Sequence, residues 1–348
     1  MEDDVVGGKI PAEPQQPPEQ ETEGNLFERL NRQFYSSSPA SYFRARFHML
    51  FLLVGRPEAL DALLAEGVEW EGLTARIDLA QQTTEDVRHQ AAFVLTESQA
   101  LFHHATEALI RLFIAHADLP ACPWFEVASM RSPVQLRGAA DELARAGWTA
   151  RQRVQLEDVF LPGASASNVP EQKRGLEALE RLMRSVAQRL NADANMYNSV
   201  KHGMTVVAGA SSFGVLKDDG SPAFGTTGES VTFLESEFDE EQRKWSQTTL
   251  WLDVRQTLWL TDLVIAQIEG LWQVARCRYL GEELDGVRMV TPEAVAAAFT
   301  GAYAARPSIS RASFSVATER SPKPPKKRKE KHSGPTKPRV PPMRPEPR

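Results

Sequence analysis

Residues 170–203 read PEQKRGLEALERLMRSVAQRLNADANMYNSVKHG. Leu176, Leu179, Met183, Val186, Leu190, Tyr197 and Val200 recur in a three-four rhythm, broken only where Asp193 takes a seam position. That rhythm predicts one long helix over about 170–202 with a buried stripe, ended by Gly203. The period then changes. TVV, SFGVL and SVTFLES, parted by DDG and GTTGE, are strand-like runs between turn residues, so 204–237 is read as a β-hairpin or small sheet. The fold class follows: mainly α, a helical bundle with a small β-hairpin insertion after this helix.

Helical spacing recurs on both sides. It predicts helices at about 24–35 and 40–54, then a short one, PEALDALLAEG, opened by Pro57 and closed by Gly67. A long helix is expected over about 72–118, ended by Pro120 and Pro123, and shorter ones at 133–146 and 149–160. A Gly/Ser/Asn/Pro loop fills 162–170. Beyond the β segment, a Trp- and Leu-rich run predicts a helix at about 239–279, with a last one at 292–303. The helical core is placed at 24–305.

Two tails flank it. Residues 1–23 are acidic and rich in Pro and Gln, and 306–348 are basic and Pro-interrupted; neither carries enough apolar surface to offset the entropy of ordering, so both are read as disordered. From Arg306 onward there are 13 Lys and Arg against 3 Asp and Glu, a charge of +10; the whole chain carries −6, which leaves −16 on residues 1–305. An acidic body gives no reason for non-specific nucleic-acid binding, whereas the tail suits an acidic partner or nucleic acid. Within it, Lys326-Lys327-Arg328-Lys329 fits a short basic nuclear-import pattern. The location expected is otherwise cytoplasmic: the N-terminal residues do not read as a signal peptide, and the apolar run FHMLFLLVG at 47–55 is too short to span a bilayer. Cys122 and Cys277 lack zinc-site spacing and are read as reduced thiols.

The chemistry concentrates at the end of the 170–202 helix. Asn191, Asn195, Asn198 and His202 step by four, three and four, forming a polar stripe beside the apolar seam that holds Tyr197. Asn is a poor helix former, and a solvated face ordinarily uses Glu, Lys or Arg, as Glu180 and Arg184 do earlier on the same stripe. Amides plus an imidazole therefore point to a partly buried polar cluster or a lined groove. His202 can move a proton near neutrality, Lys201 can stabilise phosphate charge, and Asn198 can orient it. The alternative is structural: the amides bridge neighbouring helices and His202 caps the helix terminus.

YNSVKH at 197–202 resembles the R-x(4–6)-H motif of the HEPN superfamily (higher-eukaryote and prokaryote nucleotide-binding), in which a polar residue such as Asn often follows the Arg. The resemblance implies a helical bundle, frequently dimeric, in a family whose active members are metal-independent ribonucleases of toxin–antitoxin and phage-defence systems. Asn198 and His202 match the motif, whereas Tyr197 stands where the family has Arg, removing the guanidinium expected to hold a scissile phosphate. The implied role is a catalytically degenerate relative that binds RNA or a nucleotide. His202, Asn198 and Lys201 stand at the catalytic positions, and Tyr197, Asn195 and Asn191 are candidate substrate contacts.

Other constellations carry less. His103, His104 and Glu107 form HHxxE, and Glu85 with His89 form ExxxH, but neither supplies the Glu-x-x-His pairs of a di-metal bundle, so no metal or other cofactor is expected. His104, Glu107 and Arg111 would face the 191–202 stripe if the two helices were neighbours. Asp262 interrupts an apolar run and needs a partner; Arg255, Lys201 and His202 are candidates. There is no phosphate-binding loop, GxSxG or HExxH. The competing reading of the whole chain is a non-catalytic helical interaction or scaffold protein whose motif is a structural cap.

Overall fold

The computed structural model describes residues 22–75, 84–130, 132–161, 169–201, 205–238, 242–284, 286–300 and 311–319. It is a helical bundle carrying a four-stranded antiparallel sheet, so the mainly α class is as read.

Local chemistry sets most helix starts. In α1 (Glu23–Phe34), the Thr22 hydroxyl accepts from the Asn25 amide, and in α2 (Pro39–Gly55) the Ser38 hydroxyl accepts from Ala40. α3 (Pro57–Glu66) begins at a proline and stops at Gly67, whose φ of 88° favours glycine. α6 (Pro133–Ala144) and α7 (Ala150–Phe160) each open with a capping box, Ser132 with Gln135 and Thr149 with Gln152. Among the described residues, two elements precede the expected start of the long 72–118 helix or overlap it. Strands β1 (Val68–Trp70) and β2 (Leu73–Ala75) form a hairpin over Glu71 and Gly72, both at positive φ, and α4 begins only at Thr84 and runs to His116. A short α5 (Pro123–Ser129) follows it.

The helix over 170–202 is two: α8 (Val169–Ala192) and α9 (Ala194–Lys201), parted by Asp193 alone. Backbone bonds from Asp193 N to Arg189 O and from Tyr197 N to Asp193 O, each 3.0 Å, carry the ladder across the break. The expected 239–279 helix is also divided. Its first part is strand β5 (Gln242–Trp251), and Asp253 then caps α10 (Val254–Leu280), accepting from the Gln256 amide at 3.0 Å. α10 ends at Gly281, which is left-handed at φ 68°. The last helix, α11, is Pro292–Thr300.

α4 packs along α10, with α2 against α10, α8 against α6, and α7 and α11 closing the sides. Leu101, Leu109 and Ile110 of α4, Leu179, Leu182 and Met183 of α8, and Leu260, Ile265 and Ile268 of α10 are fully buried in one cluster. Each such side chain contributes about 2 kcal/mol of burial, and cutting Ile110 to Ala would cost about 3 kcal/mol because the cavity cannot fully collapse.

The sheet is larger than the hairpin read at 204–237. Its order is β3 (Val206–Leu216), β4 (Pro222–Phe238), β5 and β6 (Arg311–Glu319), all antiparallel. Asp219 shapes the β3–β4 turn by accepting from the Ser221 amide at 2.8 Å, with Gly220 at φ 79°. Val231 and Phe233 of β4 join the helical core, while hydroxyl pairs such as Ser211–Ser230 and Thr232–Thr249 bridge strands. β6 lies inside the range read as a disordered tail. Nine residues of RASFSVATE pair with β5 from Arg311↔Leu250 to Gln242↔Glu319, a long-range ladder that low local hydrophobicity concealed. Residues 1–21 and 320–348, which hold most of both tails, lie outside the described residues, as does most of the 162–170 loop. Among the described residues no helix is long and apolar enough to cross a membrane.

Candidate functional site

α9 is eight residues long, and the burial of Met196 and Val200 fixes its orientation against α4 and the sheet. Tyr197, beside them on the wheel, lays its ring on His103 of α4, with centroids 5.2 Å apart and planes at 19°. One turn on, the Lys201 ammonium lies 5.7 Å from the same phenol ring's centroid, within cation–π range. The α4 and α9 helices are therefore neighbours, and the histidines of HHxxE meet the motif.

The surroundings of Tyr197 come from three helices. Burial pushes its phenol up to about 12; Glu107 and Tyr42 add to this, and Arg46 and Arg111 oppose it. Arg46 of α2 donates to Glu97 through Nε at 3.1 Å, and to the Tyr42 hydroxyl and His104 Nδ1, both at 3.3 Å. A guanidinium only donates, so His104 Nδ1 accepts and the ring proton sits on Nε2. Burial lowers the His104 pKa, with Arg46 and Lys201 adding to the effect against Glu107 and Glu97. The imidazole is neutral near pH 7. Arg111 pairs with Glu107 at 2.8 Å and also donates to the Met130 carbonyl, which ties α4 to the end of α5. Lys201, by contrast, is exposed and makes no ion pair among the described residues.

His103 is wholly buried, and neither ring nitrogen has a hydrogen-bond partner among the described residues. Burial first, and Arg189 second, push its pKa down to about 3. Arg189 itself lies 4.8 Å from the centroid of the Phe102 ring and pairs with Asp193 at 3.6 Å. Burial raises the Asp193 carboxyl, with Arg189 and Arg311 pulling it back. Arg311 of β6 reaches the Ala192 carbonyl at 3.3 Å and Glu235 of β4 at 3.0 Å. The break between α8 and α9 is thus held by an ionic chain running into the sheet.

The six residues singled out in the sequence divide among different neighbours. Tyr197, Asn198 and Lys201 lie on α9, with Tyr197 and Lys201 in the cluster just described. Asn198 is half-buried, and its side chain makes no hydrogen bond among the described residues. Asn191 instead donates to Asp141 of α6 at 2.7 Å, and Asn195 donates to Glu235 at 3.2 Å. Those two amides bridge elements rather than line one groove. His202 lies outside the described residues.

Among the described residues Asp262 pairs with neither Arg255 nor Lys201. Because α2 packs on α10, Arg44 pairs with it and with Glu269 at 3.1 Å. Glu85 and His89 are an exposed i,i+4 pair at 3.8 Å, and no group of three metal-ligating side chains occurs among the described residues. Sequence reading missed Tyr42, Arg46 and Glu97; the only signal was the Arg44–Arg46 pair flanking an apolar run.

Chemically, the junction of α2, α4 and α9 holds three cations among the described residues, two of them neutralised by glutamates and one with no such partner among them. It also offers a neutral imidazole with one donor and two phenols. That inventory can hold an anion. The chain matches no protein-family model, no curated protein and no solved structure.

Proposed function

We propose that this chain is a HEPN-like helical protein that binds the phosphate of a nucleotide or RNA at the α2/α4/α9 junction without cleaving it, in a defence or toxin–antitoxin setting. The observation that carries the reading is Lys201. Its ammonium stands exposed beside the Tyr197 ring, with no carboxylate partner among the described residues. Arg46 and Arg111 act on that same phenol from α2 and α4, so guanidinium charge absent from position 197 is supplied from neighbouring helices. Cleavage needs a mobile proton near the phosphate. The two histidines described at this junction suit that poorly, since His103 is sealed in the core and His104 Nδ1 is engaged by Arg46. The basic 306–348 stretch adds further phosphate contacts in this reading, and a homodimer in the cytoplasm, or the nucleus of a eukaryote, is its setting.

The test uses the full chain and Lys201→Ala, measuring binding of a nucleoside monophosphate and of a short RNA, together with RNA cleavage. Loss of one charge-assisted contact is expected to weaken binding about 10-fold, roughly 1.4 kcal/mol, at an unchanged melting temperature and with no cleavage by either protein. Equal affinity of the two proteins, or no binding at all, would sink the proposal. Turnover by the full chain would overturn its non-catalytic half.

The second reading, a scaffold whose motif is structural, is favoured by the Asn191–Asp141 and Asn195–Glu235 bonds. It is distinguished by Asn195→Ala, which in that case lowers the melting temperature and leaves nucleotide binding where it was.

A further inference from the structure

On a different face of α2 from Arg46, the bundle opens into a cavity of about 470 Å³, enclosed by α2, the first turns of α10 and α11. That volume lies within the range of small-molecule sites, roughly 300–1,000 Å³. One wall is aromatic: Phe47 and Phe51 are stacked, with centroids 5.9 Å apart at 24°. Trp259 of α10 and Val54 extend it, and Ala297 and Ala298 leave the space that larger residues on α11 would fill. The α10–α11 side is fixed by Gln256, which donates to the Ala298 carbonyl at 3.0 Å.

The charge around this apolar space is one-sided. Asp253 and Asp262 line it, Glu229 feels the charge of Asp253, and Glu269 shares Arg44 with Asp262. Of these groups Asp253 and Asp262 line the cavity together with one guanidinium, Arg255, a lining net of −1, while Arg44 sits beside it between Asp262 and Glu269. The aromatic wall already holds a cation at one edge, since the Arg44 guanidinium carbon lies 5.8 Å from the Phe47 ring centroid. A ligand that fits must therefore bury an apolar body against the rings and present positive charge to the carboxylates. An anion meets net repulsion. A bare metal ion has no set of three ligands here among the described residues.

We infer that the α2/α10/α11 cavity is a binding site for a small amphipathic organic cation, an aryl- or alkyl-ammonium compound, recognised by the Phe47–Phe51–Trp259 wall and by Asp253 and Asp262. The site goes beyond the phosphate reading and does not depend on it, because it shares no lining residue with the α2/α4/α9 junction.

The probe is benzyltrimethylammonium, titrated calorimetrically into the full chain at fixed ionic strength, with phenylacetate as the anion of similar size. The ammonium is expected to bind saturably at one site with a dissociation constant of millimolar order or below, and phenylacetate at least about 10-fold more weakly. Two variants separate site from fold. Asp253→Asn keeps a competent helix cap while removing the charge, and is expected to weaken the ammonium about 5-fold at an unchanged melting temperature. Ala297→Phe fills the cavity and is expected to abolish binding. The inference is overturned by no saturation up to about 20 mM, by phenylacetate binding as well as the ammonium, or by full binding to Ala297→Phe.

Discussion

Two histidines on α4, one near its middle and one at its last residue, are buried to the same degree and treated in opposite ways. His116 is fully employed: its Nδ1 donates to the Leu112 carbonyl at 2.6 Å, so its Nε2 accepts from the Tyr35 hydroxyl at 2.7 Å. Rings pack around the pair, with Tyr35 stacked on Tyr279 at 5.7 Å and edged by Trp272. His103 has the same isolation from solvent and neither bond. Its contacts are aromatic, a stack on Tyr197 and an edge to Phe102. The difference teaches that burial alone does not assign a role to a histidine. The end of α4 spends its imidazole on a hydrogen-bonded strut between α1 and α4, while its middle uses one as a flat surface against the motif helix.

The largest effect that separates the two is expected at His116. His116→Ala leaves the Tyr35 hydroxyl buried without its partner and opens a cavity, and should cost about 3–4 kcal/mol in urea unfolding. A loss below about 1 kcal/mol would mean that the strut holds nothing.

Acid sharpens the comparison. Burial holds the folded pKa of His116 at about 4 and of His103 at about 3, against about 6.5 in the unfolded chain. Below pH 6.5 the unfolded chain therefore binds protons that the folded one does not. Each histidine's contribution is complete above pH 6.5 and is lost as pH falls toward its folded value. Between pH 7 and pH 5 that loss is roughly 2 kcal/mol per histidine. His103→Phe should remove one of the two shares, read as a shallower fall of unfolding free energy across this interval.

The smallest effect is that of the same variant at pH 7. His103→Phe gives up no hydrogen bond and keeps a ring for Tyr197, so stability should hold or rise by about 1 kcal/mol. A drop of more than about 2 kcal/mol would give His103 a polar partner after all and erase the contrast with His116.

Much of the helical layout was legible because caps are local. Thr22, Ser38, Ser132, Thr149 and Gly281 mark helix ends within one or two residues of the periodic runs. Pairing across distance was not. QRKWSQTTLW continues the Trp- and Leu-rich composition of α10, and only its ladder with β4 and β6 makes it a strand. The same holds at the site. That α4 could face the motif helix was readable as a possibility from His104, Glu107 and Arg111, but Arg46 and Glu97 meet there only through the packing of α2 on α4. Asn191, Asn195 and Asn198 looked like one stripe on a wheel. The neighbours, α6 for one and β4 for another, decide that they are separate contacts.

β6 has a consequence for how the chain is assembled. Strands β3, β4 and β5 follow one another through short connections, whereas β6 arrives only after α10 and α11 have been made. The last strand must therefore close a long loop, which is the slow kind of step in folding, while the earlier elements can form as they emerge. Until it docks, β5 presents an open row of backbone groups able to pair with another chain. The interval between synthesis of Trp251 and arrival of Arg311 is when this molecule is most exposed to misassembly, and a chain cut short before Arg311 would remain in that state.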